Sequence, residues 1–178
     1  MGVNGESRRR STGEKVTELL SEHAALFLAL QSRVAGYWAR VDRLEGATKE
    51  PFGSFFADDV VMMLGSMRLD GKQALSDFFE NREKQDIERE RTTRHVTSNF
   101  RLAITTPNRA TLRATVVVYS GFGAWPLPVE APSGLGDFSF DCVKDADGAW
   151  RFVGITASSV FAGATAPAFA KKQDGKLS

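Results

Sequence analysis

The sequence predicts an α+β domain in which helices at the amino-terminal end cover one face of a curved antiparallel sheet. Two observations carry this. Apolar residues recur every three or four positions through the first part of the chain, and from Thr92 onward the period changes to two. Size agrees: 178 residues, 42% hydrophobic and 25% charged, amount to about one domain with tails, large enough to fold around its own core.

The first element starts near Ser11, which with Glu14 matches the Ser-x-x-Glu capping box that satisfies free amides at a helix start. Residues 1–13 read as a disordered tail, because Arg8-Arg9-Arg10 lies among Gly, Asn and Ser with almost nothing to bury. Val16, Leu19, Leu20, Ala24, Phe27, Leu30, Val34, Tyr37, Trp38 and Val41 then form one apolar stripe on a long helix, ended by Gly46 and Pro51. Phe55 to Asp59 reads as a short helical turn and Val60 to Leu64 as a buried strand. Asp70-Gly71 turns the chain into a second, shorter helix carrying Ala74, Leu75, Phe78 and Phe79.

Three segments of period two follow, Thr93 to Thr105, Ala110 to Ser120 and Asp137 to Phe161. Thr106-Pro107-Asn108-Arg109 joins the first two, and Asp145-Ala146-Asp147-Gly148 splits the last into a hairpin. The segment from Gly121 to Gly136 holds three of the six prolines, and proline supplies no ladder donor, so it is a loop at the rim of a pocket. The domain therefore spans 14–162, and 163–178 is a loosely held tail.

Composition excludes several functions. Twenty-three basic against 22 acidic residues leave a charge of +1, too balanced for a nucleic-acid partner. The stretch from Arg82 to Arg94 holds five basic and four acidic residues and reads as a solvated helix end and loop. The longest apolar run, Ala24 to Leu30, falls far short of the ~18–20 residues of a membrane span, and no signal sequence is visible. The expectation is a soluble, cytoplasmic protein. Cys142 is the single cysteine, so no internal disulfide forms, and with two histidines it cannot build a Cys/His zinc cage. No dinucleotide, phosphate-loop, serine-elbow or zinc-protease motif is present, and no cofactor or metal is expected.

Two histidines remain. His23 sits at the boundary of the helical stripe. His95 lies in a stretch where strand alternation puts Thr93, His95, Thr97 and Asn99 on one face, a polar file that would line the cavity under a curved sheet. Phe56, Met63, Met67, Phe79, Trp125, Phe138 and Phe140 are candidates for an apolar lining.

The order of Tyr37-Trp38-Ala39-Arg40-Val41-Asp42, "FFADDVV" at 55–61, "GKQALSDFF" at 71–79, "TRHVTSNFRL" at 93–102 and "DADGAWRFVG" at 145–154 resembles the SnoaL-like branch of the nuclear transport factor 2 superfamily over residues 14–162. The resemblance implies a cystatin-like, cone-shaped α+β barrel, paired into homodimers or higher homo-oligomers. Members include scytalone dehydratase, a hexachlorocyclohexane dehydrochlorinase, polyketide cyclases, ketosteroid isomerase and the small subunits of ring-hydroxylating dioxygenases. It further implies that Asp42 and His95 form a catalytic dyad, with the imidazole taking a proton from carbon while the carboxylate orients it. Tyr37, Asn99 and Tyr119 become polar substrate contacts, and Phe56, Met63 and Trp125 apolar ones. The dehydratase's second strand histidine has no counterpart, and Tyr119 is the nearest stand-in; the dehydrochlorinase's arginine is replaced in Gly154-Ile155-Thr156.

Two functions follow as expectations. One is a cofactor-independent lyase or isomerase acting on a small hydrophobic or aromatic molecule. The other is a non-catalytic module that binds a small ligand or supports assembly, as the dioxygenase small subunits do.

Overall fold

The computed structural model describes the backbone of residues 4–163 and the side chains of 14–163 apart from residue 48. Helix α1 (Asn4–Val41) runs straight through Ser11, so the capping box does not start it and residues 4–13 of the expected tail are helical. Its apolar stripe is covered only in its second half. Leu30, Val34, Tyr37, Trp38 and Val41 are buried, whereas Val16, Leu19 and Leu20 are at least half exposed. The helix stops before Gly46, in a Schellman arrangement where Arg43 N–H donates to Arg40 O (3.3 Å) and Leu44 N–H to Ala39 O (2.9 Å). Arg43 takes the left-handed conformation this needs, with φ 54°.

The expected helical turn lies three residues earlier, as the 3-10 turn Phe52–Phe55, and Phe56 to Asp59 already belong to strand β1 (Phe56–Leu64). A short strand the alternation did not reveal, β2 (Met67–Asp70), pairs with it. Gly71, at φ 86°, then turns the chain into α2 (Lys72–Glu88). Strands β3 (Arg91–Thr106), β4 (Arg109–Phe122), β5 (Gly134–Lys144) and β6 (Trp150–Ala162) complete the domain. Of the carboxy-terminal tail expected at 163–178, all but Gly163 lies outside the described residues.

One six-stranded sheet has the order β2-β1-β6-β5-β4-β3. Every pair is antiparallel except β1 with β6, where strands far apart in sequence meet side by side in parallel. Both helices pack on the sheet's concave face. Tyr37 is the hub of the core: the rings of Phe55, Phe56, Phe79, Phe140 and Phe152 stand 5.6–6.5 Å from its own, mostly edge to face. Arg40, 7% exposed, ties the two helices together. Its guanidinium is held by both oxygens of Glu83 at 2.8 Å and lies over the Phe52 ring.

Register shifts bend the sheet. Between Ser98↔Thr115 and Arg101↔Arg113, β3 carries two residues, Asn99 and Phe100, opposite Ala114 alone. Asn99 sits at φ 54°, which Asn tolerates better than most side chains, and this bulge reverses the alternation. A second shift falls at Leu135/Gly136 in the β5–β6 ladder. There a Cβ on Gly136 would meet Ser158 O at 2.8 Å, so the strands approach this closely only because the residue is glycine. Gly136→Ala should therefore lower unfolding free energy by roughly 1–3 kcal/mol, read from urea unfolding; an unchanged midpoint would contradict the close approach.

Candidate active site

Asp42 caps α1, and the Schellman turn behind it aims its carboxylate at the start of β3. There it meets a ready-made cradle. Oδ1 accepts from the Thr93 hydroxyl (3.0 Å) and lies 2.6 Å from His95 Nδ1, while Oδ2 accepts the His95 backbone N–H (2.7 Å). The carboxylate thus binds both the ring and the main chain of His95. An ionised carboxylate can only accept, so Nδ1 carries the proton and Nε2 is the nitrogen left free to take one.

Trp38 stands one helical turn before Asp42, so both lie on the same face of α1. Its indole stacks on the imidazole, ring centres 4.0 Å apart and planes 7° from parallel. The stack and the Asp42 bonds together hold the His95 ring in one orientation. Burial pushes the His95 pKa below its ordinary value, the Asp42 carboxylate opposes this, and the positive charges of Arg82 and Arg91 add to the lowering. The neutral imidazole is therefore the resting form.

His95 lines a partly open cavity of about 120 Å³ between the two helices and the sheet. That is close to the ~150 Å³ of an engineered apolar cavity that takes up benzene. Its walls are mostly apolar and aromatic, with Tyr37, Trp38, Phe79, Val118, Leu135 and Phe138 among them. Two arginines, Arg82 and Arg91, also line it. Most of the stretch containing them is the solvated helix end its charge pattern suggests, but Arg82 and Arg91 depart from it: the carboxylate they share, Asp86, is 7% exposed. Cys142 is no nucleophile. Burial and the neighbouring Asp141 carboxylate push its thiol up to about 12.

Among the candidates from the sequence, Asp42, His95 and Tyr37 come together here with Phe79 and Phe138 of the expected apolar lining; Asn99, Tyr119, Trp125, Met63 and Phe56 do not. Asn99 is exposed, because the bulge turns it outward and puts Phe100 on the packed side, edge-on to Phe27. Tyr119, 41% exposed, is one residue out of phase with the cavity-lining Val118, and cannot replace a second histidine. Trp125 is 68% exposed on the outer side, where its indole N–H donates to Thr92 Oγ1 (2.8 Å). Met63 is 42% exposed and Phe56 is core, packed on Tyr37 and not on the cavity wall. The sequence reading missed Trp38, Arg82 and Arg91 as site residues. The i, i+4 spacing of Trp38 and Asp42 was the available signal for the first; nothing local marked the arginines.

No family model matches the chain, and no curated protein does. Solved structures do match. A protein from Novosphingobium aromaticivorans provisionally named a scytalone dehydratase superposes with a TM-score of 0.63 at 17% identity, over 80% of this chain and 89% of that one. A type 2 hexachlorocyclohexane dehydrochlorinase gives 0.59 at 19% identity, over 79% and 88%. A protein of unknown function with a cystatin-like fold from Nostoc punctiforme gives 0.57 at 16%, over 79% and 92%. The α+β architecture is therefore the cystatin-like, nuclear transport factor 2-like fold that the sequence motifs resemble. No helix among the described residues is long and apolar enough to cross a membrane.

Proposed function

We propose that this chain is a cofactor-independent lyase or isomerase of the dehydratase type, with His95 as general base and Asp42 as its orienting partner. The observation that carries the reading is the 2.6 Å contact between Asp42 Oδ1 and His95 Nδ1 on the wall of an apolar cavity. The dehydratase and dehydrochlorinase names of two structural neighbours, both eliminations, support it.

The chemistry follows from the geometry. His95 Nε2 takes a proton from a carbon beside a carbonyl or a leaving group. In an elimination the C–H electron pair becomes the new C=C bond and the leaving group departs with its own pair. In an isomerisation the imidazolium returns the proton to a different carbon. Asp42 stabilises the imidazolium in between, and the negative end of the α1 dipole adds to this. The cavity's size and lining favour a small substrate with one ring. General-base catalysis of this kind contributes about two to four powers of ten in rate.

A panel of cyclic β-hydroxy ketones and vicinal dichlorides, followed by the absorbance of the new double bond, tests the reading. The base works when neutral, and the folded protein holds His95 below its ordinary 6.5. Turnover should therefore stay level as pH falls through 6.5 and decline only below it, in a single protonation step. A rate without an acid limb down to the onset of acid unfolding would overturn the assignment.

A further inference from the structure

We infer that Arg82 and Arg91 form a seat for an anionic group, so that the substrate of this cavity is a small aromatic or alicyclic acid and not a neutral hydrocarbon-like molecule. The inference rests on the cavity being the substrate site, and it adds the substrate's charge to the reading above.

The cavity-lining residues include no acidic side chain, and Arg82 and Arg91 are the two that carry permanent charge. Behind them stands Asp86, the one carboxylate among the described residues in contact with either: Arg82 Nε lies 3.5 Å from Oδ2, and Arg91 Nη1 donates to Oδ1 at 3.3 Å. Two arginines therefore line the cavity with one counter-charge between them, and both contacts are long for charge-assisted bonds. Arg40, by contrast, has its charge closed off by two 2.8 Å bonds to Glu83 and lies outside the cavity. Both arginines also bear on His95, whose proton affinity they lower.

A second observation points to the same ligand chemistry. Trp38, 7% exposed and lining the cavity, has an indole N–H with no acceptor among the described residues. Buried donors of this kind normally have a partner. A carboxylate or phenolate brought in by a ligand would offer this donor an acceptor oxygen in a wall that is otherwise mostly apolar. The guanidinium is the side chain best shaped to hold a carboxylate by two parallel bonds.

Binding of benzoate and of the isosteric neutral benzamide to the full-length protein separates the alternatives, read by amide chemical-shift titration of Val118, Ser133 and Phe138. Benzoate should bind roughly tenfold to a hundredfold more tightly, the range expected of hydrogen bonds to charged groups. Arg82→Gln and Arg91→Gln should each erase most of that preference while benzamide affinity stays put, which also shows that the cavity is intact. Arg82→Lys and Arg91→Lys should keep part of it, since the charge remains without the two-bond fork. Equal affinity for the two probes, or a preference that survives both Gln variants, would overturn the inference. His95→Gln keeps the preference if the seat is real, so a failed base assignment and a failed anion seat give different results.

Discussion

His95→Gln should lower turnover by two to four powers of ten while leaving the melting temperature close to the parent's. Glutamine fills similar space and can still meet Asp42 with an amide N–H, but it has no nitrogen able to accept a proton at neutral pH. Asp42→Asn should cost a similar factor for a different reason. Its amide offers a donor where His95 Nδ1 now finds an acceptor 2.6 Å away, which favours the tautomer with the proton on Nε2. The imidazole would then face the substrate already protonated on the nitrogen that must act as base. Because both changes disable one unit, the double variant should be no slower than the worse single variant by more than a small factor. Independent, multiplying losses would show that the two residues do not act together, and turnover within tenfold of the parent for His95→Gln would remove the base.

Phe140→Ala should be the most damaging core substitution, lowering unfolding free energy by about 3–5 kcal/mol. That is a large share of the 5–15 kcal/mol available to a domain. Phe140 is fully buried, and the rings of Tyr37, Trp38, Phe138 and Phe152 stand 5.3–6.5 Å away, so nothing nearby is free to fill the void. Urea unfolding followed by far-UV circular dichroism measures the loss, and Phe140→Leu should recover most of it. A loss under 1 kcal/mol would mean that the aromatic cluster relaxes around the gap, contrary to the packing described.

Element type was legible in the sequence wherever one period ran uninterrupted. The stripe from Leu30 to Val41, the helix around Leu75 and Phe79 and the four long strands are of this kind. The pair Asp42 and His95 was readable only through motif resemblance, since 53 positions separate them and no local rule joins a helix cap to a strand. Asn99 shows where alternation fails: one inserted residue shifts every later side chain to the opposite face, and only its left-handed φ betrays the shift. Tyr119 was misplaced because a period of two separates the faces of a strand without saying which is inside, and Trp125 because a loop carries no period to say where its side chain turns. Arg82 and Arg91 were hidden by their neighbours. Acidic and basic residues alternate so evenly from 82 to 94 that composition reads as solvent-facing, and only the fold shows Asp86 buried with its two partners turned inward.

The bulge at Asn99 has an effect beyond the site. Strand β3 closes one side of the sheet, and a border strand of 16 residues would present an unpaired row of amides and carbonyls to any other extended chain. A flat border of that length invites sheet-to-sheet growth into fibrils. The extra residue twists the strand midway and breaks the spacing a straight incoming segment would have to match. A local irregularity that turns Asn99 outward thus also leaves the exposed margin a poorer template for a straight strand.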